Sequence, residues 1–335
     1  MAVRNEPVRP MLPVALDAMG GDDAPRVTVA GAIAAAKDGI PVVLVGDEKL
    51  LRPLLPRGVS IPIAHAPDAV GMGDAAAAAV RKKPNSSLAR VIELVAKGEA
   101  SSAVSCGNTG AVLVATVLGL GVFEGVDRPA IATVLPRSDG GKLVLLDAGA
   151  NVDCRPEQLA CFALLGAAYA QALGMPTPRI GLLANGEEST KGNMQVRAAL
   201  PLIQTLPLTV VGNIEPHAAL AGGCDVLVCD GFVGNVLIKG VEAAAETVVH
   251  LLKEEIGRNP SAMLGAWLTS RTFGRFRSRV AWEAQGGGLL LGAKGLVVVG
   301  HGRASAEAVH AALRMAHQTS SQGLLAAVQQ RLAVG

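Results

Sequence analysis

Short runs of Val, Leu, Ile and Ala recur along the chain. Each is closed by a string of Gly, Asp, Asn or His and followed by a longer stretch of helical periodicity, and six such units stand in order. Pro13–Leu16 runs into Asp17-Ala18-Met19-Gly20-Gly21-Asp22-Asp23, with a helix expected from Pro25. Ser101–Ser105 runs into Cys106-Gly107-Asn108-Thr109-Gly110, and Leu143–Leu146 into Asp147-Ala148-Gly149-Ala150-Asn151. Ile180–Ala184 leads to Asn185–Asn193, Asp225–Cys229 to Asp230–Asn235, and Leu296–Val299 to Gly300-His301-Gly302. Helices are expected from Pro156 to about Leu173, from the 230–235 string to about Ile256, and through Val309 and Leu313; further strands are expected at Val42–Val45 and Ala130–Leu135.

Apolar strands that do not alternate with polar positions are strands buried on both faces. Their alternation with helices predicts a three-layer α/β/α fold with a mostly parallel sheet. No linker-like composition divides the chain, so 1–335 reads as a single catalytic α/β domain. Such folds gather ligands at the carboxyl ends of their strands, and six polar strings there predict a rim for something small, polar and anionic. In Gly107-Asn108-Thr109-Gly110, backbone amides at a helix start form an anion site, although a plain capped turn explains any single string equally well.

Composition narrows the classes. Half the residues are hydrophobic and 17% are charged, which suits a core buried on several faces or an oligomer with covered surface. A net charge of +2 and an aromatic fraction of 2% give no case for nucleic acid. Cys106, Cys154, Cys161, Cys224 and Cys229 form no Cys-x-x-Cys, and no His stands beside them at zinc-ligand spacing, so buried reduced thiols are expected. No apolar stretch is long enough to span a bilayer or to act as a leader, which predicts a cytoplasmic chain attached at most to a membrane surface.

Familiar nucleotide and hydrolase motifs are missing. Gly287–Lys294 approximates a Walker loop, but Ala293 and Gly295 stand where Lys and Ser or Thr belong. No Gly-x-Ser-x-Gly elbow is present. Asp17, Asp22, Asp23, Asp147 and Asp153 are better read as strand-end structural acids than as cation ligands, so no metal and no cofactor are expected.

Lys191 follows Glu187 and Glu188 in the richest string. From composition alone an ion-paired surface lysine is the commoner case; on a strand-end loop its ammonium would instead neutralise a phosphate or a developing oxyanion. His301, between glycines after a buried run, suits a bond to an acyl or phosphate oxygen as well as a structural role, whereas His310 and His317 read as helix-surface residues.

The segment 258–285 differs in kind and reads as an inserted amphipathic helical arm. Leu264, Trp267 and Leu268 share one helical face, Phe276 and Val280 another, with Phe273 and Trp282 nearby and Arg271, Arg275, Arg277 and Arg279 among them. Such an arm docks on anionic lipid or buries its aromatics against a twin subunit.

The strings also stand in a recognisable order. Asp-Ala-Met-Gly-Gly-Asp (17–22), Gly-Asn-Thr-Gly (107–110), Arg-Pro-Ala-Ile-Ala (128–132), Asp-Ala-Gly-Ala-Asn (147–151), Gly-Glu-Glu-x-x-Lys-Gly-Asn (186–193), Asp-Gly-Phe-x-Gly-Asn (230–235) and His-Gly-x-x-Ser (301–305) follow one another. From about Val14 to about Leu313 the chain resembles the bacterial acyl-ACP:phosphate acyltransferases of phospholipid synthesis. It departs from their pattern at Leu182–Asn185, Ile214–His217 and Ala293–Gly295.

The resemblance implies a fold like that of phosphate acetyltransferases and the isocitrate dehydrogenase group, a homodimer, and peripheral membrane attachment. The implied reaction moves a long-chain acyl group from acyl-ACP to inorganic phosphate, giving acyl phosphate and free acyl carrier protein. A membrane glycerol-phosphate acyltransferase would consume the product. Lys191 matches the lysine of the Glu-Glu-x-x-Lys-Gly motif. With Asn108 and His301 it forms the candidate catalytic set, and Asp17, Gly20, Gly21, Gly107, Thr109, Gly110, Asn151, Gly192, Asn193, Gly234 and Asn235 are the candidate binders of phosphate or acyl phosphate. Arg52, Arg57, Arg81, Lys82 and Lys83 are candidates for the carrier-protein surface. Two other functions stand beside this one, a CoA-dependent phosphotransacetylase and a non-catalytic, membrane-docked scaffold.

Overall fold

Each expected apolar run forms a strand. The computed structural model describes residues 12–272 and 286–333. Its strands are β1 (Val14–Asp17), β2 (Val42–Gly46), β3 (Ile63–His65), β4 (Ser102–Ser105), β5 (Ala130–Pro136) and β6 (Lys142–Leu146). They continue with β7 (Arg179–Leu183), β8 (Thr209–Ile214), β9 (Val226–Val228), β10 (Gly288–Leu291) and β11 (Val297–Val299). By its contacts the chain divides into two compact units, Met1–Leu120 with Gly295–Ser320 and Gly121–Lys294 with Ser321–Gly335.

In the first unit the strands lie in the order β3-β2-β1-β4-β11, and every neighbouring pair is parallel. All four residues of β1 are buried. Because successive side chains point to opposite faces, that burial requires cover on both sides. The helices Arg26–Lys37 and Ser87–Ala96 both pack on β1. Close approach needs glycine here: a Cβ at Gly31 would meet Val309 at 2.6 Å, so the helix Ala306–Ser321 lies directly against the helix Arg26–Lys37.

In the second unit the order is β10-β5-β6-β9-β7-β8. The pairs β6–β9, β9–β7 and β7–β8 are parallel, while β5 is antiparallel to both β6 and β10. The run at Ala130–Leu135 is therefore not one of the parallel strands. Only a tight turn, Arg137–Gly141, joins it to β6, and a connection that short returns the chain antiparallel. Gly287–Lys294, the stretch resembling a Walker loop, contains the strand β10. The helix Pro156–Ala172 covers β6, β7 and β9, and Leu135, Leu143, Leu145, Leu183, Ile214, Leu227 and Ile238 form a buried cluster.

At the amino ends of β7 and β9 an ion network ties the second unit together. Asp225 accepts from Arg179 Nε at 3.0 Å and from Arg137 Nη1 at 2.5 Å, and Arg137 also grips Asp139. Burial raises the Asp225 pKa, but the bonds from Arg179 and Arg137 outweigh it and hold the carboxyl at about 2.

The cysteines are all free. Four are buried as expected, while Cys161 is only half-buried. Burial pushes the thiols of Cys106, Cys154 and Cys224 up to about 12. His310 and His317 are also half-buried rather than on an open helix face, and His310 Nε2 lies 2.8 Å from Asp38 Oδ2. Among the described residues no helix is long and apolar enough to cross a membrane.

The helix expected to end near Ile256 spans Gly231–Gly257 and buries only Gly231, Gly234 and Ile238. Beyond Ile238 it carries exposed Val248, Leu251 and Leu252, and it leads to the helix Pro260–Leu268, which has no buried residue. There Leu264, Trp267 and Leu268 are exposed, Trp267 at 72%. Arg271 is exposed as well; Phe273, Arg275, Phe276, Arg277, Arg279, Val280 and Trp282 lie outside the described residues.

Candidate active site

In the first unit the carboxyl ends of β1, β4 and β11 bring three of the strings together. Asp17, fully buried at the end of β1, accepts the Ser105 hydroxyl at 2.7 Å and the Met19 amide at 3.2 Å. Burial raises its pKa against the opposing hydrogen bonds from Ser87, Ser105 and the Met19 and Gly20 amides. Ser105 Oγ in turn accepts the Gly107 amide at 3.2 Å. A Cβ at Gly20 would sit 2.7 Å from Asp17 Oδ2 and 2.9 Å from Gly107 N, so glycine is what lets these two turns touch. The Asp22 amide donates to Gly302 O at 2.8 Å, which adds the third string.

Of the donors in Gly107–Gly110, the Gly107 amide is thus turned inward. The amides of Asn108, Thr109 and Gly110 have no acceptor among the described residues and remain the open end of the helix Thr109–Leu120. The Asn108 side chain is committed: Nδ2 donates to Met72 O at 2.9 Å and Asp74 O at 3.1 Å, and Oδ1 accepts the Ala111 amide. Asp74 also binds Lys83 Nζ at 2.8 Å, so Lys83 braces this loop, while Arg52 pairs with Glu48. His301 is exposed, and its Nδ1 accepts the Arg303 amide at 3.3 Å.

The second unit gathers Asp147–Asn151, Asp230–Asn235 and Asn185–Asn193. Asp147 is fully buried, and its Oδ1 accepts the amides of Ile131, Gly149 and Ala150, each at 3.0 Å. Its Oδ2 takes the Asn151 amide at 2.7 Å and Asn151 Nδ2 at 2.9 Å. Burial raises the Asp147 pKa against those bonds. This ring of amides is therefore filled by the chain's own carboxylate, and Asn151, 2% exposed, is a brace beneath the rim. An Asp followed by Ala-Gly-Ala-Asn is a local pattern for a side chain that folds back on amides two to four residues ahead.

Against this turn the helix Gly231–Gly257 begins. Asp230 caps it by accepting the Val233 amide at 2.8 Å, and the Gly231 amide donates to Asn151 O at 2.7 Å. A Cβ at Gly234 would be driven into the carbonyl oxygen of Asp147, so no larger residue fits there. Asn235 is exposed on the next position, over Gly149.

Lys191 sits on the loop after β7, with its side chain exposed. Its amide donates to Glu188 O at 2.9 Å. Gly192, at φ +91°, donates to Asn185 Oδ1 at 2.9 Å, and Asn193 caps the helix Met194–Thr205 through the Val196 amide. Among the described residues Lys191 forms no ion pair with Glu187 or Glu188. Two residues that sequence reasoning missed hold these turns: Ser105, and Asn213 on β8, whose Nδ2 donates to Glu188 O at 2.9 Å. Neither stands inside a polar string, so nothing local marks them.

A family model described as "Fatty acid synthesis protein" matches residues 12–327. The chain belongs to this family. It is 46% identical over 317 residues to a phosphate acyltransferase of Pelotomaculum thermopropionicum, covering 93% of this chain and 92% of the relative. It is also 46% identical over 321 residues to a phosphate acyltransferase of Thermus thermophilus, covering 95% and 98%. Among solved structures it is similar to a phosphotransacetylase from Streptococcus pyogenes, with TM-score 0.59 and 18% identity over 92% of this chain and 94% of that one. A branched-chain phosphotransacylase from Enterococcus faecalis follows at TM-score 0.57 and 17% identity, over 92% and 99%. At those identities the likeness shows the fold: a mixed, mostly parallel sheet with flanking helices.

Within this fatty acid synthesis protein, the described strand ends offer open backbone amides, exposed polar side chains and one lysine with no ion pair to its neighbouring acids. The open amides of the first unit suit an anion, and so, separately, does the lysine of the second.

Proposed function

We propose that this protein transfers a long-chain acyl group from acyl-ACP to inorganic phosphate, releasing free carrier protein and an acyl phosphate. The observation that carries the reading is Lys191. It stands on a strand-end loop framed by hydrogen bonds, and its ammonium is not neutralised by Glu187 or Glu188. The names of the relatives, phosphate acyltransferase across more than nine-tenths of each chain, support it.

The chemistry asks little of acid–base groups. A phosphate oxygen attacks the thioester carbonyl carbon, the carbonyl electrons move to oxygen, and their return breaks the carbon–sulfur bond. The thiolate leaves and takes a proton from solvent. Phosphate is anionic near neutral pH and thiolate is a good leaving group, so the remaining barrier is bringing two reactants together against charge repulsion. Lys191 offsets that repulsion, with the exposed side chain of Asn235 in the same unit as a further donor; in the other unit the open amides at Asn108–Gly110 and the Thr109 hydroxyl form a separate place for a substrate oxygen. In this scheme Asn108 and Asn151 hold the turns in shape, and His301 offers a donor at the rim.

Phosphate-dependent thiol release, measured with long-chain acyl-ACP and with acetyl-CoA, tests the reading. Release from acyl-ACP alone is expected. Release from acetyl-CoA alone makes the protein a phosphotransacetylase, and release from neither leaves the scaffold.

The protein further acts as a homodimer attached peripherally to anionic membrane. Support comes from the uncovered apolar face of the helix Pro260–Leu268, since a nine-residue helix that buries nothing is not stable alone. Attachment there places an acyl phosphate beside the membrane glycerol-phosphate acyltransferase that would consume it. Trp267→Ala with Leu264→Ala is expected to abolish flotation with anionic liposomes. If flotation persists while sedimentation shows monomers, the face serves the dimer instead.

A further inference from the structure

We infer that Asn213 is the positioning residue that sets the Lys191 loop, an assignment that rests on the proposed role of Lys191. Asn213 lies on β8, 22 residues beyond Lys191, and is 5% exposed. Its Nδ2 donates to Glu188 O at 2.9 Å and to Lys191 O at 3.4 Å. Both neighbours are carbonyl oxygens, so the group facing them must be the amide NH2. Oδ1 takes no donor among the described residues, so all of this side chain's hydrogen bonding goes to the loop. Glu188 O also accepts the Lys191 amide, so a single carbonyl couples the turn carrying Lys191 to the strand.

The strand is built to aim this side chain. In the pairing of β7 with β8, Ile180 lies opposite Val210 and Gly181 opposite Gly212, which leaves Val211 as an extra residue. Such a bulge exchanges the faces of every residue beyond it. Without it, Asn213 would fall on the opposite face of β8 from the one it now occupies. The bulge places Gly212 at φ +100°, a conformation that glycine adopts without strain. A misplacement of about 1 Å at a reacting group can cost about a hundredfold in rate, so a buried clamp on the lysine's own carbonyl is a rate-determining contact.

The test is a double-mutant cycle between Asn213 and Lys191, read as kcat/KM for phosphate in the acyl-ACP assay. Asn213→Ala removes the clamp; Asn213→Asp keeps its shape and removes its donors. Each is expected to lower kcat/KM by about a hundredfold in the otherwise native chain. In the Lys191→Ala background each is expected to cost less than about twofold, because there is no ammonium left to place. Amide hydrogen exchange is expected to quicken at 187–192 while β7 and β9 stay protected. Equal losses in both backgrounds overturn the assignment, and so does failure of both variants to fold, since Asn213 would then act on the fold. Full activity of Lys191→Ala by itself removes the parent role of Lys191 and this assignment with it.

Discussion

Lys191→Ala is expected to lower phosphate-dependent thiol release from long-chain acyl-ACP by about 10²–10³-fold while leaving the protein folded. The rate prediction follows from charge. Attack by phosphate on a thioester brings an anion toward a carbonyl that is itself becoming an oxyanion, and a full positive charge at the rim lowers the energy of that arrangement most. The folding prediction follows from burial. The Lys191 side chain is exposed, and the loop is held by the Gly192 amide on Asn185, by the Asn193 cap and by Asn213, none of which uses the ammonium. Lys191→Arg is expected to recover only part of the rate, because a planar guanidinium does not occupy the position of a compact ammonium. Activity within about threefold of the native value in Lys191→Ala would remove this residue from the mechanism.

Gly234→Ala is expected to destabilise the protein by about 3 kcal/mol or more and to abolish activity, the largest effect expected of a single added methyl group here. Overpacking is tolerable when a flexible side chain can swing away. At Gly234 the obstacle is the carbonyl oxygen of Asp147, which is backbone, in a turn tied down by five hydrogen bonds to the Asp147 carboxylate. The helix start would have to back away from β6, taking Asn235 with it and breaking the bond from the Gly231 amide to Asn151 O. Thermal unfolding of Gly234→Ala beside Gly240→Ala checks this, since a Cβ at Gly240 meets nothing within 4 Å and that variant should melt at least as high as the native protein. Equal melting temperatures for the two variants would show that the turn can yield.

The layers of the fold were readable because strands covered on both faces leave an unmistakable trace. Residues 14–16, 102–105 and 143–146 are buried along their whole length, so they are apolar or small without alternation. The strands β3, β8 and β10 escaped the pattern for physical reasons. β3 has three residues, none fully buried, and β8 is half exposed along Thr209–Gly212. β10 begins at Gly288, whose approach to Ile131 is a tertiary matter. Strand direction was less legible than strand position, since β5 turns antiparallel through a hairpin made by its connection rather than by its own residues.

For the site, the sequence by itself determined where polar turns interrupt apolar strands, and that one of those turns carries a lysine. Those are local facts: turns need glycine and asparagine, buried strands need aliphatic residues, and a charge on a strand-end loop stands out against them. Only the tertiary structure decided which donors face outward. Gly107 points its amide at Ser105, the Asp147–Asn151 turn closes on its own carboxylate, and Asn108 spends its side chain on Met72 and Asp74. It also decided that Asn213, far along the chain on a bulged strand, holds the loop of Lys191. Hydrogen bonds between residues distant in sequence depend on register and direction, and no window of neighbouring residues contains either.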